Sequence, residues 1–202
     1  MTIEKGRDWG SVGPAPADLV VVRSDAEARA ALEAARRESE PLPPLGLLGG
    51  DLCRTLGGRG DEGRLRDAPT LATVDLGVAL LDGRIHLFVA HLVLRRSWWR
   101  GRVVAVMNAQ HLGDWDVAPR SHPGDGRLDL LVGDLSLADR WKAGRRLRQG
   151  THVPHPGITQ RRITAWTEEL DHPTPAWLDG ERVAEAGTIA VRVEPDAVQV
   201  AI

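Results

Sequence analysis

Thr73–Leu94 reads TVDLGVALLDGRIHLFVAHLVL, and the fold turns on how this stretch is read. Apolar residues alternate or run together on both sides of Asp82-Gly83. An Asp-Gly pair between two such runs is the strongest short-range hairpin signal, because a two-residue turn of the favoured hand needs positive φ at both positions. The chain therefore doubles back here into antiparallel strands, Thr73 to Leu81 and Arg84 to Leu94. Working outward toward the C-terminus, Val103 to Met107, Leu128 to Val132, Arg162 to Trp166, Thr188 to Val193 and Val198 to Ile202 add short strands, with Glu194-Pro195-Asp196 as a turn between the last two. One helix interrupts them, Leu135 to Arg148, starting near Ser136 and ending before Gly150. Residues 70–202 thus predict an antiparallel β-sandwich or barrel with one main helix.

Upstream of this stretch the period changes. Residues 1–17 are rich in Gly and Pro and predict a flexible N-terminus. Leu19 to Val22 predicts a short buried strand. Ser24 with Glu27 three residues later forms a capping box, and Ala28, Ala31, Leu32 and Ala35 fall on one face of the helix that follows. Pro41, Pro43 and Pro44 stop that helix. Leu45 to Leu48 predicts the next strand, which turns at Gly49-Gly50 into a short helix, Asp51 to Leu56, closed by Gly57-Gly58. The charged run from Gly58 to Pro69 predicts a linker and a domain boundary. The fold class expected is α+β, with a small α/β part and linker over residues 18–69 and the sandwich over 70–202.

The 202 residues carry a formal charge of -2, so no global basic field draws the chain to nucleic acid. The single cysteine, Cys53, rules out an internal disulfide and a cysteine-based zinc site, and it fits a reducing, cytoplasmic setting. No window approaches the roughly 18 apolar residues of a membrane helix, which leaves at most peripheral membrane contact. Seven tryptophans stand beside one phenylalanine and no tyrosine. Scattered tryptophans of this kind serve core or rim packing more often than a binding cage.

Chemistry concentrates in Asn108–Asp129, NAQHLGDWDVAPRSHPGDGRLD, where acidic side chains sit among glycine and proline turns. Asp125, between Gly124 and Gly126, reads either as part of an Asp-Gly turn or as a carboxylate seat for a hard cation, which takes backbone carbonyls as readily as carboxylates. Asp114 and Asp116 could join it or serve as turn polarity. Asp179-Gly180-Glu181 reads as a hairpin turn or as a general base shown to a cleft. Arg140, Lys142, Arg145, Arg146 and Arg148 make a positive helix face that suits phosphate or simply water. His152 and His155 have zinc-like spacing, but Pro154 between them favours an extended turn. No nucleophile elbow of the Ser/His/Asp kind is present.

Four of these places occur in an order that resembles the diacylglycerol-kinase-like lipid kinases, the group that includes sphingosine and ceramide kinases and is distantly related to NAD kinases. They are VDLG at Val74–Gly77, Met107–Asp129, the Leu135 helix leading to GTHVPHPG at Gly150–Gly157, and WLDGE at Trp177–Glu181. Family members read similarly as a glycine-containing strand, an Ala-Pro turn, Asp-Gly-x-Leu-Asp, a helix, a Gly-x-His turn and Asp-Gly-Glu. The resemblance implies a β-sandwich domain, and a magnesium held by the Asp125 carboxylate with the backbone carbonyls of His122 and Arg127. It also implies a catalytic base within Asp179-Gly180-Glu181, carried by Asp179 or Glu181.

In the full kinase a Gly-Gly-Asp-Gly-Thr loop cradles the phosphates of ATP. Here Gly49-Gly50-Asp51 is followed by Leu52 and Cys53, which removes the close backbone approach and the hydroxyl. Asp51 to Gly57 is more similar to a later segment of the family, Asn-Asp-Phe-Ala-Arg-x-Leu-Gly, which makes Asp51 and Arg54 the nucleotide-side positions. Residues 18–45 hold only one β-α unit and no phosphate loop, so the nucleotide part looks cut down. The expectation is a lipid-kinase fold that has lost ATP binding and serves as a binding module for a lipid-like or phosphorylated ligand, or for a partner. The alternative is an active ATP- and magnesium-dependent lipid kinase. Apolar sheet surface left uncovered by a reduced α/β part predicts a homodimer.

Overall fold

The cap at Ser24 forms as its residue type requires, although Glu27 reaches back one residue further than a capping box does. In a computed structural model describing residues 9–152 and 155–202, Ser24 is extended and its hydroxyl accepts the Glu27 amide at 3.2 Å, while the Glu27 carboxylate accepts the Arg23 amide at 2.7 Å. Two short strands, β1 (Gly10–Val12) and β2 (Val20–Val22), precede the helix so capped, α1 (Asp25–Arg37). Ala28, Leu32 and Ala35 are buried along one face of α1. Strand β3 (Leu45–Leu47) and helices α2 (Gly50–Thr55) and α3 (Glu62–Asp67) follow.

Two expectations for this region are corrected. Val20 and Val21 are exposed, because β2 pairs only with β3 and forms an edge of the sheet. Gly58–Pro69 is not a bare linker: the Asp61 carboxylate caps α3 through the Gly63 and Arg64 amides, and Leu65 is buried.

The strands after Pro69 are β4 (Thr70–Leu81), β5 (Arg84–Phe88), β6 (His91–Leu94), β7 (Val103–Met107), the two-residue pair β8 (His111–Leu112) and β9 (Trp115–Asp116), and β10 (Leu128–Gly133). Then come α4 (Leu137–Leu147), β11 (Ile158–Ile163), β12 (Ala165–Leu178) and β13 (Glu181–Ala201). The main sheet runs β1-β4-β13-β12-β6-β7-β10-β11, with β5 on β4 and with β3, then β2, extending from the far end of β13. Every pairing is antiparallel except those of β3 with β2 and β13. The fold is α+β with a β-sandwich, as the pattern predicts.

Strands on both sides of Pro69 share one sheet, and one apolar cluster holds Leu32, Leu45 and Leu52 together with Leu76, Leu87 and Val200. A second cluster fills the sandwich around Phe88, Leu92, Leu178 and Ile189, and a third lies around Val93, Met107 and Leu131.

The Asp82-Gly83 turn has the expected positive φ, +45° and +83°, and joins β4 to β5. Arg84–Leu94 is not one strand, however. It breaks at Val89-Ala90, so that β5 stays on β4 while β6 crosses to β7 and β12. Glu194-Pro195-Asp196 is a bulge inside β13, with Asp196 at φ +51°, and not a turn between two strands. The Asp75 carboxylate accepts the Asp196 amide at 3.0 Å and the Gly126 amide at 2.7 Å, fixing the bulge against the Asp125 loop. Opposite the break, Gly77 leaves room for Phe88: a Cβ there would lie 2.1 Å from the ring. Among the described residues no helix is long and apolar enough to cross a membrane.

Candidate functional site

Asp179 accounts for the break in Arg84–Leu94. It sits in the β12–β13 turn at φ +51°, followed by Gly180 at +88°, which is the hairpin geometry its sequence allows. Its carboxylate points inward and accepts the Val89, Ala90 and His91 amides at 3.0, 2.9 and 3.1 Å. These are the donors that the interrupted strand would otherwise leave unpaired. Burial raises the Asp179 pKa against the opposing pull of His91 and the three amides. Glu181 faces the other way and pairs with the buried Arg29 guanidinium at 2.5 Å. The two residues of the expected base are therefore not brought together, and neither carboxylate is free.

A second carboxylate closes the N-terminus of α2. Asp25 accepts the amides of Asp51 at 2.5 Å and Leu52 at 3.2 Å, with Gly50 at φ +93° admitting its side chain. Burial, and then the charge of Asp179, push the Asp25 pKa up to about 7. Asp51 contacts His91 Nε2 at 3.1 Å and accepts the Gly113 amide at 2.9 Å. Burial works to raise its pKa, but these contacts outweigh it and hold the carboxyl below its ordinary range. For His91 burial favours the neutral ring, yet the Asp51 hydrogen bond and the nearby charges of Asp179 and Asp25 prevail and raise its pKa. Arg54 donates to the Gly113 carbonyl at 2.7 Å. The nucleotide-side candidates Asp51 and Arg54 thus both grip the β8–β9 turn.

The Asp125 loop offers little to a dication. The carboxylate is paired with the Arg162 guanidinium and accepts the Arg127 amide at 3.0 Å, while the His122 carbonyl accepts the Asp125 amide at 3.3 Å. Both carboxylate oxygens are thus engaged, Oδ1 by the Arg127 amide and Oδ2 by the Arg162 guanidinium, and a cation already neutralises the charge. As arranged, this loop does not fit magnesium. Among the described residues no group of three or more His, Cys, Asp or Glu is set to hold a metal.

Beside the Asp179 turn a cleft of about 450 Å³ opens, with His91, Gly180, Asp114, Arg148 and Trp177 among its walls. Arg95 also lines it, its guanidinium stacked between Trp98 and Trp177, 4.4 Å from each ring centre. Its Nε is buried without a hydrogen-bond partner, and burial lowers its pKa with no carboxylate acting to raise it. Trp98, Leu112 and Trp115 line both this cleft and an apolar cavity of about 160 Å³ between α4 and the sheet. His152 ends that cavity, buried and without a well-formed hydrogen bond from either ring nitrogen.

His155 lies apart from it, accepting the Gly157 amide at 3.1 Å, and Pro154 of the expected turn is outside the described residues. Arg140 does not belong to the positive face of α4. It is buried and donates to the carbonyls of Leu135, Trp98 and Gly101, tying the helix to the loop after β6.

Residues 80–202 match the YegS C-terminal NAD kinase beta sandwich-like domain. The chain belongs to this family. Three solved structures of proteins named as diacylglycerol kinases, from Bacillus anthracis strain Sterne, share its fold with TM-scores of 0.68, 0.67 and 0.66. Their identities are 15%, 15% and 14%, and each alignment covers 91% of this chain and 77% of the other. No curated protein matches the sequence. Within the NAD kinase-like sandwich segment lie Asp125, Asp179 and Glu181, along with His91, Arg95, Trp98 and Trp177.

Sequence reasoning missed Asp25, His91 and Arg95. Asp25 looks like an ordinary first-turn acid, and His91 and Arg95 flank an apolar run. The available signal was His91 itself, a titratable side chain set inside an otherwise apolar run from Leu87 to Leu94.

Proposed function

We propose that this member of the family is a binding protein for a phosphorylated amphiphile and has lost the ATP chemistry of a lipid kinase. The observation that carries the reading is Arg95, an unpaired guanidinium fixed between two indoles in the cleft wall. Stacking holds the fork in place at low entropic cost, and a guanidinium so held suits a phosphate or carboxylate head group. Trp98, Leu112 and Trp115, common to cleft and cavity, set apolar surface beside Arg95 that suits the chain of such a molecule.

The case against a triphosphate is electrostatic. Asp25 takes the amides of α2 that could have met a phosphate, and Asp51 and Asp179 stand close by. A polyanion brought there meets carboxylates where phosphoryl transfer needs cations and open amides. The working-kinase reading has one observation in its favour, the Asp51–His91 pair, which resembles an oriented base at the cleft wall.

Tryptophan fluorescence titration with a short-chain lysophosphatidate separates the two. Saturable binding that Arg95→Ala weakens at least tenfold, with no saturable response to millimolar ATP and magnesium, supports the binding protein. ATP-dependent phosphorylation of a lipid hydroxyl overturns it.

A further inference from the structure

Leu137, Trp141, Arg145 and Arg148 fall within one narrow stripe of α4 and its C-cap, and they leave the protein surface bare of packing. Trp141 is 58% exposed and Leu137 57%, and Trp99, across a shared surface hollow from Trp141, is 59% exposed. The opposite stripe of the same helix, Arg140 and Ala143, is buried and Leu147 packs with the third apolar cluster, so the outward residues are surplus to the core. Two exposed tryptophans and a leucine grouped in this way make an apolar patch that a soluble surface does not otherwise need.

The patch has a charge to match. Lys142, Arg145, Arg146 and Arg148 are all exposed along α4. The Arg145 guanidinium lies over the Trp141 ring at 5.2 Å, carrying its charge to the edge of the indole. Of the acids on this side, Asp139 is engaged by the Ser136 hydroxyl and by Lys142 at 3.6 Å, and Asp134 lies 3.9 Å from Arg140. Asp114 lines the neighbouring cleft. The local balance is positive in a chain whose net charge is -2.

We propose that this surface, the outer stripe of α4 with Trp99, docks the protein on an anionic lipid bilayer. Indole rings settle at the head-group level, apolar body inward and N–H toward water, and arginines beside them meet lipid phosphates. Net charge does not recruit the protein; a basic, aromatic face does. The same docking brings the mouth of the cavity beneath α4, lined in part by Trp99, against the bilayer. Docking itself rests on the surface residues and does not require the cleft to bind a ligand.

The test is cosedimentation with vesicles of phosphatidylcholine alone and of phosphatidylcholine mixed with phosphatidylserine. The expected result is binding to the mixed vesicles only, weakened as salt rises because surface charges are screened. Each basic residue near the membrane is worth about a fivefold change in partitioning, so Arg145→Glu/Arg148→Glu lowers it by more than tenfold. Trp99→Ala/Trp141→Ala does the same, and both side chains are exposed enough that folding is kept. Arg84→Glu, a like charge change at the distant β4–β5 turn, leaves binding unaltered. Equal binding to neutral and anionic vesicles, binding to neither, or full binding by the double tryptophan variant overturns the proposal. Lysophosphatidate titration below micelle formation reads the cleft separately, so either result can fail alone.

Discussion

Replacing Asp179 with alanine distinguishes a structural clamp from a catalytic base. The substitution removes the acceptor of three buried amides, at Val89, Ala90 and His91, none of which has strand partners to return to at the break. An unsatisfied buried donor costs about 1–3 kcal/mol, which sums to roughly 3–9 kcal/mol for three if the turn stays closed. Against this stands relief, since the lost carboxylate is fully buried and repels Asp25. The net expectation is a loss of about 3 kcal/mol, a large share of a single domain's stability. An asparagine in place of the aspartate keeps one oxygen and turns an amide group toward the remaining donors, so Asp179→Asn falls between the alanine variant and the parent. Urea denaturation followed by tryptophan fluorescence measures this as a lower midpoint at unchanged slope. A base held ready for chemistry predicts the reverse, near-parental stability with lost turnover. If Asp179→Ala unfolds within about 0.5 kcal/mol of the parent, the size of an ordinary surface substitution, the clamp is the wrong account.

Two further outcomes concern Asp25 and Gly77. Because the folded-state pKa of Asp25 is raised to about 7 from 3.8, the native state holds the extra proton, and stability present below the unfolded value is lost as pH rises through this window. The shift corresponds to about 4 kcal/mol at most, so the stability of the parent relative to Asp25→Asn should fall between pH 4 and 7; a difference that stays flat with pH refutes the assignment. Gly77→Ala sets a methyl against the enclosed Phe88 ring and should cost about 3 kcal/mol by thermal or urea unfolding, partly restored by Phe88→Leu in the double variant; an unchanged unfolding midpoint would show that the ring can move aside.

Much of the fold is legible because local chemistry and tertiary need agree. Ser24, Ser136 and Asp82-Gly83 each form the cap or turn that their residue types demand, and the α+β class follows from the strands they bound. What stays hidden depends on partners far away in the chain. The break at Val89-Ala90 is invisible in an apolar run because the acceptor that permits it, Asp179, is about ninety positions downstream. β11 and the first half of β12 carry mostly polar residues, so only Arg162–Trp166 reads as a strand, and that segment spans the break between them at Thr164. β13 reads as two strands since Pro195 normally ends a ladder, but a bulge anchored by Asp75 absorbs it. The candidate site is the least legible part. Asp179 and Glu181 stand out in the sequence, yet their direction is set by Arg29 and the β5–β6 amides, and the Arg95 stack joins Trp98 to Trp177 across a long stretch of chain.

One consequence of the long β13 concerns the order of assembly. It pairs with β12, β4 and β3, and its last residues lie between Leu71-Ala72 and Leu45-Gly46. The pairings of β13 with β4 and β3 therefore bridge distant points of the chain, a topology that folds slowly. On the ribosome β3 and β4 emerge long before the strand that covers them, leaving their apolar edges waiting. Newly made chains should depend on chaperones until Val198–Ala201 emerges and zips the sheet shut.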